Sequence, residues 1–374
     1  MSVSCETRSK SFAGIQLSRK CVDPVTRITE FSPQNGNDRL LKLAGTPFEV
    51  GKQLGEHLGH TLAENIHHYL KNGPLKFGNL RTDLLQKGAM RWLDSLPQRF
   101  QEEMRGLSEG SGVSLQQIAE WGYADADIQT GCSAFLLSTD QGCWVGRNND
   151  LWTPELWGFV IQCAVKGRLG TLTFGMQAEI FAATGLNQTG LWLHYNWLPT
   201  FDSPGLNSWT PYVLLTEMLE TCKTIDEVEL VLNSTTRTGG MLIFAVHHDG
   251  NGPEGAMFEC TCQRVSRQNL GERFIAGTNH YQTIATPQAA ESYAPDSVRR
   301  LDAIESQIRI LSEQPSTSEL VAILADPRVE QHLDDYGTVY ANLYNHQQKA
   351  IWFTFGGYPA ASHGRWRQIH WPFT

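Results

Sequence analysis

The stretch from residue 131 to residue 152 reads GCSAFLLSTDQGCWVGRNNDLW, which is typical of two strands joined by a tight turn. Cys132 begins the first apolar run, and residues 138–142 supply the polar and glycine positions of a hairpin turn. A turn centred on residues 140–141 places Cys132 directly opposite Asn149 on the second strand. The residues on either side of Asn149 should therefore lie close to the cysteine sulfur.

Two of those neighbours are charged residues that could take part in a reaction at Cys132. Arg147 would place a guanidinium beside the sulfur of Cys132, which favours the thiolate, and the thiolate is the nucleophile. Asp150 could hold an amine or ammonium group in place. Cleavage of the bond after Gly131 would free the α-amino group of Cys132, and an unperturbed α-amine with a pKa of about 7.7–8.0 can accept the thiol proton.

Gly131 suits such a cleavage, because it has no side chain to obstruct attack on its carbonyl. On these residues alone, an ordinary buried cysteine followed by a polar hairpin end fits the pattern equally well. Cys143 is also preceded by glycine, but cleavage there would divide the second strand. The eight cysteines have the spacing of neither a zinc site nor a disulfide scaffold, so we expect reduced thiols.

The composition limits the partners that this protein can bind. A formal charge of −9 and a sequence without basic blocks argue against nucleic acid and anionic membranes as partners. No apolar run is long enough to span a bilayer, and the first residues have no signal-peptide core. We expect a cytoplasmic protein that binds a small molecule, and a homo-oligomer is compatible with the sequence.

Helical and strand-like segments are grouped along the chain. Residues 40–125 read as mainly helical and include one long amphipathic helix over 46–72, whereas short apolar runs bounded by Gly, Asn and Asp dominate after residue 131. A later amphipathic helix carries Leu301 and Ile304. Grouping rather than strict alternation predicts an α+β fold, with antiparallel sheets covered by helices.

Five segments resemble motifs of a known family, in the family's order. They are AGTPFEVGKQLGEHLG (44–59), MRGLSEGSGVSLQQI (104–118), GCSAF with GRNND (131–150), GLNQTGLWLHYNWL (185–198) and AGTNHY (276–281). Over about residues 40–360 the chain resembles the acyl-coenzyme A:isopenicillin N (6-aminopenicillanic acid) acyltransferase family of N-terminal-nucleophile (Ntn) hydrolases. Choloylglycine hydrolases and penicillin V acylases are more distant relatives. The resemblance implies the four-layer αββα sandwich of these enzymes.

The resemblance also implies roles for individual residues. Cys132 becomes the nucleophile and new N-terminus after cleavage at Gly131, Asp150 orients an amine, and Arg147 supports the thiolate. The amides of Asn279 and Asn196 would stabilise the oxyanion, although either could be a turn or capping residue. A late family arginine that contacts substrate corresponds at best to Arg328, where the sequence ADPRVEQH departs from the family pattern.

The expected product is a helical segment, 1–131, that is cleaved but stays associated with a segment 132–374. The expected reaction is hydrolysis of a small N-acyl or aminoacyl amide through a thioester on Cys132. An acyltransferase that passes the acyl group from a thioester or amide to an amine is the alternative. A non-catalytic, unprocessed binding protein is an alternative of another class.

Two other enzyme classes fit the sequence less well. His57, His60, His67 and His68 fall on one predicted helix, but their spacing lacks the H-E-x-x-H pattern of a zinc enzyme and is typical of a solvated face. A papain-like enzyme would place its cysteine at a helix start, whereas Cys132 begins a strand-like run. We therefore expect neither a metal nor a cofactor.

Overall fold

The computed structural model describes residues 29–30, 39–59, 61–77, 81–124, 129–177, 179, 181–205, 208–248, 253–271 and 273–373. Within these ranges, the part of the chain before Gly131 is mainly helical. Its helices are α1 (Pro47–Leu58), α2 (Thr61–Asn72), α3 (Pro74–Phe77), α4 (Thr82–Ser95), α5 (Gln98–Ser111) and α6 (Leu115–Ala124). No helix in the described ranges is both long and apolar enough to cross a membrane.

The prediction of one helix over 46–72 is wrong, because the chain breaks at Gly59. This residue has φ +53° and ψ −136°, a conformation that favours glycine, and its N–H bonds to the Gly55 carbonyl at 2.8 Å to end α1. The start of α1 is as predicted, since Thr46 and Glu49 form a capping box. His60 lies outside the described residues.

Helices α1 and α5 approach each other closely through glycines. A Cβ on Gly51 would lie 1.9 Å from the carbonyl oxygen of Glu103, and a Cβ on Gly55 would lie 2.6 Å from the carbonyl oxygen of Leu107. A Cβ on Gly106 would likewise lie 2.0 Å from the carbonyl oxygen of Phe48. The glycines of the first family-like motif therefore allow the backbones of two helices to touch.

The strands of the described chain form two sheets. They are β1 (Thr29–Glu30), β2 (Leu40–Gly45), β3 (Ser133–Thr139), β4 (Gly142–Trp152), β5 (Trp157–Val165), β6 (Thr171–Met176), β7 (Thr184–Asn187), β8 (Trp192–Leu198), β9 (Gly240–His248), β10 (Pro253–Cys260), β11 (Val265–Asn269), β12 (Phe274–Gly277), β13 (Tyr336–Asn345), β14 (Ala350–Phe355) and β15 (Arg365–Ile369). The first sheet has the order β1-β15-β14-β13-β4-β3-β12, and the second has the order β11-β10-β9-β8-β7-β6-β5-β2. All neighbours are antiparallel except β1 with β15 and β2 with β5.

Helices cover the outer faces of both sheets. The later helices are α7 (Pro211–Thr221), α8 (Ile225–Ser234), α9 (Ala290–Tyr293), α10 (Pro295–Ile310), α11 (Thr317–Leu324) and α12 (Ala360–His363). Helices α10, α11 and α12 pack on the first sheet, and α1, α7 and α8 pack on the second. Aromatic pairs such as Trp192 with Tyr344, whose ring centroids are 5.0 Å apart, join the sheets face to face. The predicted four-layer αββα arrangement is confirmed.

The predicted hairpin register is also confirmed. Strands β3 and β4 meet at the turn 140–141, and Ser133 pairs with Asn148, so Cys132 falls opposite Asn149. Because side chains alternate along a strand, Arg147 and Asn149 point toward the second sheet, while Asp150 points to the other face. The hairpin thus places Arg147 and Asn149 on one face of the first sheet and Asp150 on the other.

Candidate active site

Cys132 lies just before β3 and is buried, with 1% of its surface exposed. Its Sγ is 3.5 Å from both the Thr130 hydroxyl and the Asn149 Oδ1, and 3.7 Å from the Arg147 Nη2. The sulfur therefore has a guanidinium as one of its neighbours, in a setting shielded from water. The Arg147 guanidinium can therefore stabilise negative charge that develops on this sulfur.

The Arg147 guanidinium is fully buried between the two sheets. It donates to the Asn149 Oδ1 at 2.7 Å, to the Tyr340 hydroxyl at 2.8 Å, and to the Thr184 hydroxyl and the Tyr195 carbonyl. A buried cation needs such a set of acceptors, since its charge is otherwise costly away from water. The network fixes the direction in which Arg147 points at the sulfur.

Asp150 occupies the opposite side of β4, near the carbonyl of Gly131. Its Oδ1 accepts from the Thr338 hydroxyl at 2.6 Å and its Oδ2 from the Gln331 Nε2 at 2.8 Å. Burial raises the pKa of Asp150 from 3.8 to about 6, although the charge of Arg300 and these hydrogen bonds act in the opposite direction. The carboxylate is thus poised to change charge in mildly acidic solution.

Both predicted oxyanion donors lie in the same region. The Asn279 Nδ2 donates to the Trp197 carbonyl at 2.8 Å, which leaves its second hydrogen for another acceptor. The Asn196 Oδ1 accepts from the Arg147 Nε at 3.4 Å, and its Nδ2 lies 3.5 Å from the Gly277 carbonyl oxygen. Each amide nitrogen therefore has a second hydrogen available for a further acceptor.

Sequence reasoning missed Arg300, a buried residue of α10. Its guanidinium donates to the carbonyl of Cys132 at 2.9 Å, to the Ser133 hydroxyl at 2.7 Å and to the Asn279 Oδ1 at 2.9 Å. A usable signal was present, since Arg300 lies one turn from the buried Ile304 on the core-facing side of the helix. An arginine on such a face must have buried partners.

Arg328 is placed elsewhere. Its side chain is 57% exposed, and its hydrogen bonds in the described structure are all with Asp326. The contacts of Arg328 therefore do not connect it to the residues around Cys132. The late arginine that reaches the cysteine in this fold is Arg300.

Two further polar side chains near Cys132 had no clear signal in the sequence. The Asn149 Nδ2 is buried and makes no hydrogen bond within the described chain, although its Oδ1 is held by Arg147. Gln331 links the carbonyl of Gly131, at 2.7 Å, to Asp150. An unpartnered buried donor is unusual in a folded protein, and the amide of Asn149 beside the Cys132 sulfur is available to an oxygen that binds there.

The other cysteines in the described ranges lack these surroundings. Burial raises the pKa of the Cys143 thiol to about 12, which keeps it protonated and unreactive, and Cys143 lies within β4 as expected. Cys260 has its pKa raised to the same extent, again mainly by burial. Among the described residues, no group of three or more His, Cys, Asp or Glu side chains is arranged to hold a metal ion.

The sequence matches a family model described as acyl-coenzyme A:6-aminopenicillanic acid acyl-transferase over residues 137–359. This match covers more than half of the chain and contains β4, Asn196, Asn279 and Arg300. None of the curated proteins matches the sequence significantly.

Several solved structures resemble the chain at low sequence identity. Penicillin V acylase from Agrobacterium tumefaciens is 13% identical with a TM-score of 0.42, and the match covers 60% of this chain and 83% of that one. A variant of conjugated bile acid hydrolase from Clostridium perfringens is 12% identical with a TM-score of 0.43, over 64% and 92%. The Caenorhabditis elegans ortholog of N-acylethanolamine-hydrolyzing acid amidase is 13% identical with a TM-score of 0.44, over 64% and 100%. All three are distant from this chain.

Proposed function

Because this chain belongs to the acyl-coenzyme A:6-aminopenicillanic acid acyl-transferase family, we propose that it is a self-cleaving cysteine amidohydrolase. Cleavage after Gly131 makes Cys132 the N-terminal nucleophile. The observation that carries this proposal is the setting of the Cys132 sulfur, which is buried at the start of β3 and contacts Arg147 and Asn149. The Arg147 guanidinium, 3.7 Å away, can stabilise negative charge on the sulfur as the thiol proton leaves.

The reaction proceeds in two steps through a thioester. The Cys132 thiolate attacks the carbonyl carbon of a small N-acyl or aminoacyl amide, and the freed α-amine of Cys132 carries the proton to the departing amine. The free hydrogens of Asn279 and Asn149 are donors for the oxyanion, with Asn196 supporting Arg147. Asp150 orients the amine, and water then hydrolyses the thioester.

Acyl transfer is the second candidate, and the family description supports it. Both reactions share the thioester and differ only in whether water or an amine accepts the acyl group. A competition assay separates them, because an added amine that accepts the acyl group yields a new amide at the expense of free acid. Hydrolysis is our first choice, so free acid should remain the main product.

The two fragments should stay together after cleavage. Strand β2 lies before Gly131 and pairs with β5 at the edge of the second sheet, and α1 packs against the same sheet. Separating the fragments would expose the apolar faces of these elements to water, which is costly. The expected mature protein is therefore one folded unit built from residues 1–131 and 132–374.

Mass spectrometry of the purified protein tests self-cleavage directly. We expect two fragments, the larger beginning CSAFLL, and amine release from a panel of N-acyl and β-aminoacyl amides. A protein that stays intact and releases no amine would instead support the unprocessed binding protein. An intact chain with full amidase activity would contradict the proposed mechanism, because Cys132 would then have no free α-amine.

Replacement of Gly131 by alanine should block self-cleavage. A Cβ at this position would lie 2.0 Å from the Gln331 Nε2 and 2.6 Å from the Tyr336 hydroxyl. The Gln331 amide must then move away from the Gly131 carbonyl, which is the group that the sulfur attacks. We expect the Gly131→Ala chain to remain largely uncut on a gel under conditions in which the wild type is fully cut. Gly271→Ala is the control, since a Cβ there meets open space; equal cleavage of all three proteins would contradict the prediction.

Amide hydrolysis should lose activity in acid as Asp150 takes up a proton. Its pKa, raised by burial to about 6, predicts that kcat/KM falls as the pH decreases through about 6, because only the carboxylate can hold an ammonium group. Burial also raises the pKa of Glu330, to about 7. Thr338→Val identifies the responsible group, since it removes a hydrogen bond that lowers the pKa of Asp150 and should move the acid limb to higher pH.

The control for this pH profile is Thr173→Val, which removes a hydroxyl from β6 with only a long hydrogen bond of 3.4 Å to the Ile161 carbonyl. Its acid limb should coincide with that of the wild type. If the acid limb of Thr338→Val coincides with that of the wild type, Asp150 is not the group whose protonation causes the loss of activity.

A further inference from the structure

We propose that Gln331 is a catalytic residue of self-cleavage, in which its side-chain amide stabilises the oxyanion that forms on the Gly131 carbonyl. This inference rests on the proposed self-cleavage at Gly131 and adds a group to it. The Gln331 Nε2 donates to the Gly131 carbonyl oxygen at 2.7 Å and to the Asp150 Oδ2 at 2.8 Å. Both hydrogens of the amide are thus used on groups at the cleavage site.

The position of Gln331 is fixed by its backbone. Its carbonyl accepts from the Thr338 N–H at 2.9 Å, and its own N–H lies 3.2 Å from the Thr338 hydroxyl. The same hydroxyl donates to Asp150, so one residue of β13 positions both Gln331 and Asp150. The orientation of the amide follows from its partners, because rotation by 180° would bring its oxygen against two other oxygens.

Other donors near Cys132 are directed at different oxygens. Arg300 donates to the carbonyl of Cys132, which is one peptide after the bond to be cut. Asn279 donates to the Trp197 carbonyl. In the described chain, the side-chain hydrogen bond from Gln331 reaches the Gly131 carbonyl oxygen. Negative charge develops on this oxygen when the sulfur attacks the carbonyl carbon.

The chemistry of self-cleavage needs such a donor. The Cys132 Sγ attacks the Gly131 carbonyl carbon, an S–C bond forms and the carbonyl oxygen becomes an oxyanion. The C–N bond to Cys132 then breaks, and the thiol proton passes to the Cys132 nitrogen, which becomes the free amine. Water hydrolyses the resulting thioester to give the Gly131 carboxylate and the thiol. Gln331 acts before the amide substrate arrives, so self-cleavage should depend on it more than turnover does.

Two variants at this position separate hydrogen bonding from shape. Gln331→Met removes the donor and keeps the length of the side chain, while Gln331→Glu keeps the shape and replaces the donor by an acceptor. We expect cleavage of either chain, followed on gels during cell-free synthesis at pH 8, to be slower by about 10²-fold, the effect of losing one oxyanion donor. Amine release per cut molecule should fall by a much smaller factor.

Gln101→Ala is the matched control. This glutamine also donates from its Nε2 to a backbone carbonyl, that of Leu96 at 2.8 Å, but it lies in α5. It should be cut at the wild-type rate.

The outcomes distinguish failure of this inference from failure of the proposed function. A wild-type chain that is never cut and releases no amine would remove the proposed function and this inference together. A wild-type chain that is cut, with both Gln331 variants cut within threefold of its rate, would remove only the role of Gln331. Loss of folded protein in both variants, measured by thermal unfolding, would assign Gln331 a structural role and likewise overturn the inference.

Discussion

Cys132→Ala is expected to give a single uncut chain of 41.8 kDa that releases no amine from any amide. The sulfur is required twice, first to attack the Gly131 carbonyl and then to form the acyl-enzyme, and alanine can do neither. Intact mass and an amine-release assay measure both losses on one sample. The substitution removes only a sulfur atom from a buried position, so the variant should still fold.

The control for Cys132→Ala is Cys143→Ala. Cys143 is also a buried cysteine that follows a glycine, but burial raises the pKa of its thiol to about 12 and its sulfur contacts a backbone carbonyl. This variant should be cut and active, with a stability loss of about 1 kcal/mol for a small cavity. If the Cys143→Ala chain stays uncut, or if the Cys132→Ala chain is cut, the assignment of the chemistry to Cys132 is wrong.

Local sequence pattern was sufficient to predict the hairpin of β3 and β4 beside Cys132. A polar turn between two apolar runs fixes the register, because a shift by one residue would reverse the faces of every side chain. The pairing of Ser133 with Asn148 follows from that turn, and it brings Arg147 to the sulfur. The split of the first helix at Gly59 was missed, since the apolar stripe continues on both sides of it.

Contacts between distant segments could not be predicted in this way. Gln331 follows Gly131 by 200 positions, and Arg300 follows Cys132 by 168 positions. Gln331 reaches Gly131, and Arg300 reaches Cys132, only because α10 and β13 pack beside β3 and β4 in the finished fold. The motif comparison suggested Arg328 as a substrate contact and did not identify Arg300, because the chain departs from the family pattern around residue 328.

Arg147→Met should impair both stability and catalysis. The substitution removes the charged donor from the Asn149 Oδ1 and from the carbonyl of Tyr195, and the loss of each such buried hydrogen bond costs about 1–3 kcal/mol. Removal of a buried charge offsets part of this loss of stability, because the charge no longer has to be kept away from water. We therefore expect the free energy of unfolding to fall by about 2–4 kcal/mol. Because the guanidinium contacts the sulfur and can stabilise negative charge on it, alkylation of Cys132 by iodoacetamide should also slow by about tenfold or more.

Comparison with a surface arginine shows which of these effects belong to the site. Arg309 is 63% exposed and pairs with Glu305 on the same helix, so Arg309→Met should change stability by less than about 0.5 kcal/mol and leave alkylation unchanged. Arg147→Lys keeps a positive charge, but a single ammonium cannot reach both the Asn149 Oδ1 on the first sheet and the Tyr195 carbonyl on the second, as the planar guanidinium does. It should therefore recover part of the thiol reactivity while remaining less stable than the wild type. Full amidase activity in Arg147→Met would contradict this prediction, because it would show that the reaction does not need the cation beside the sulfur.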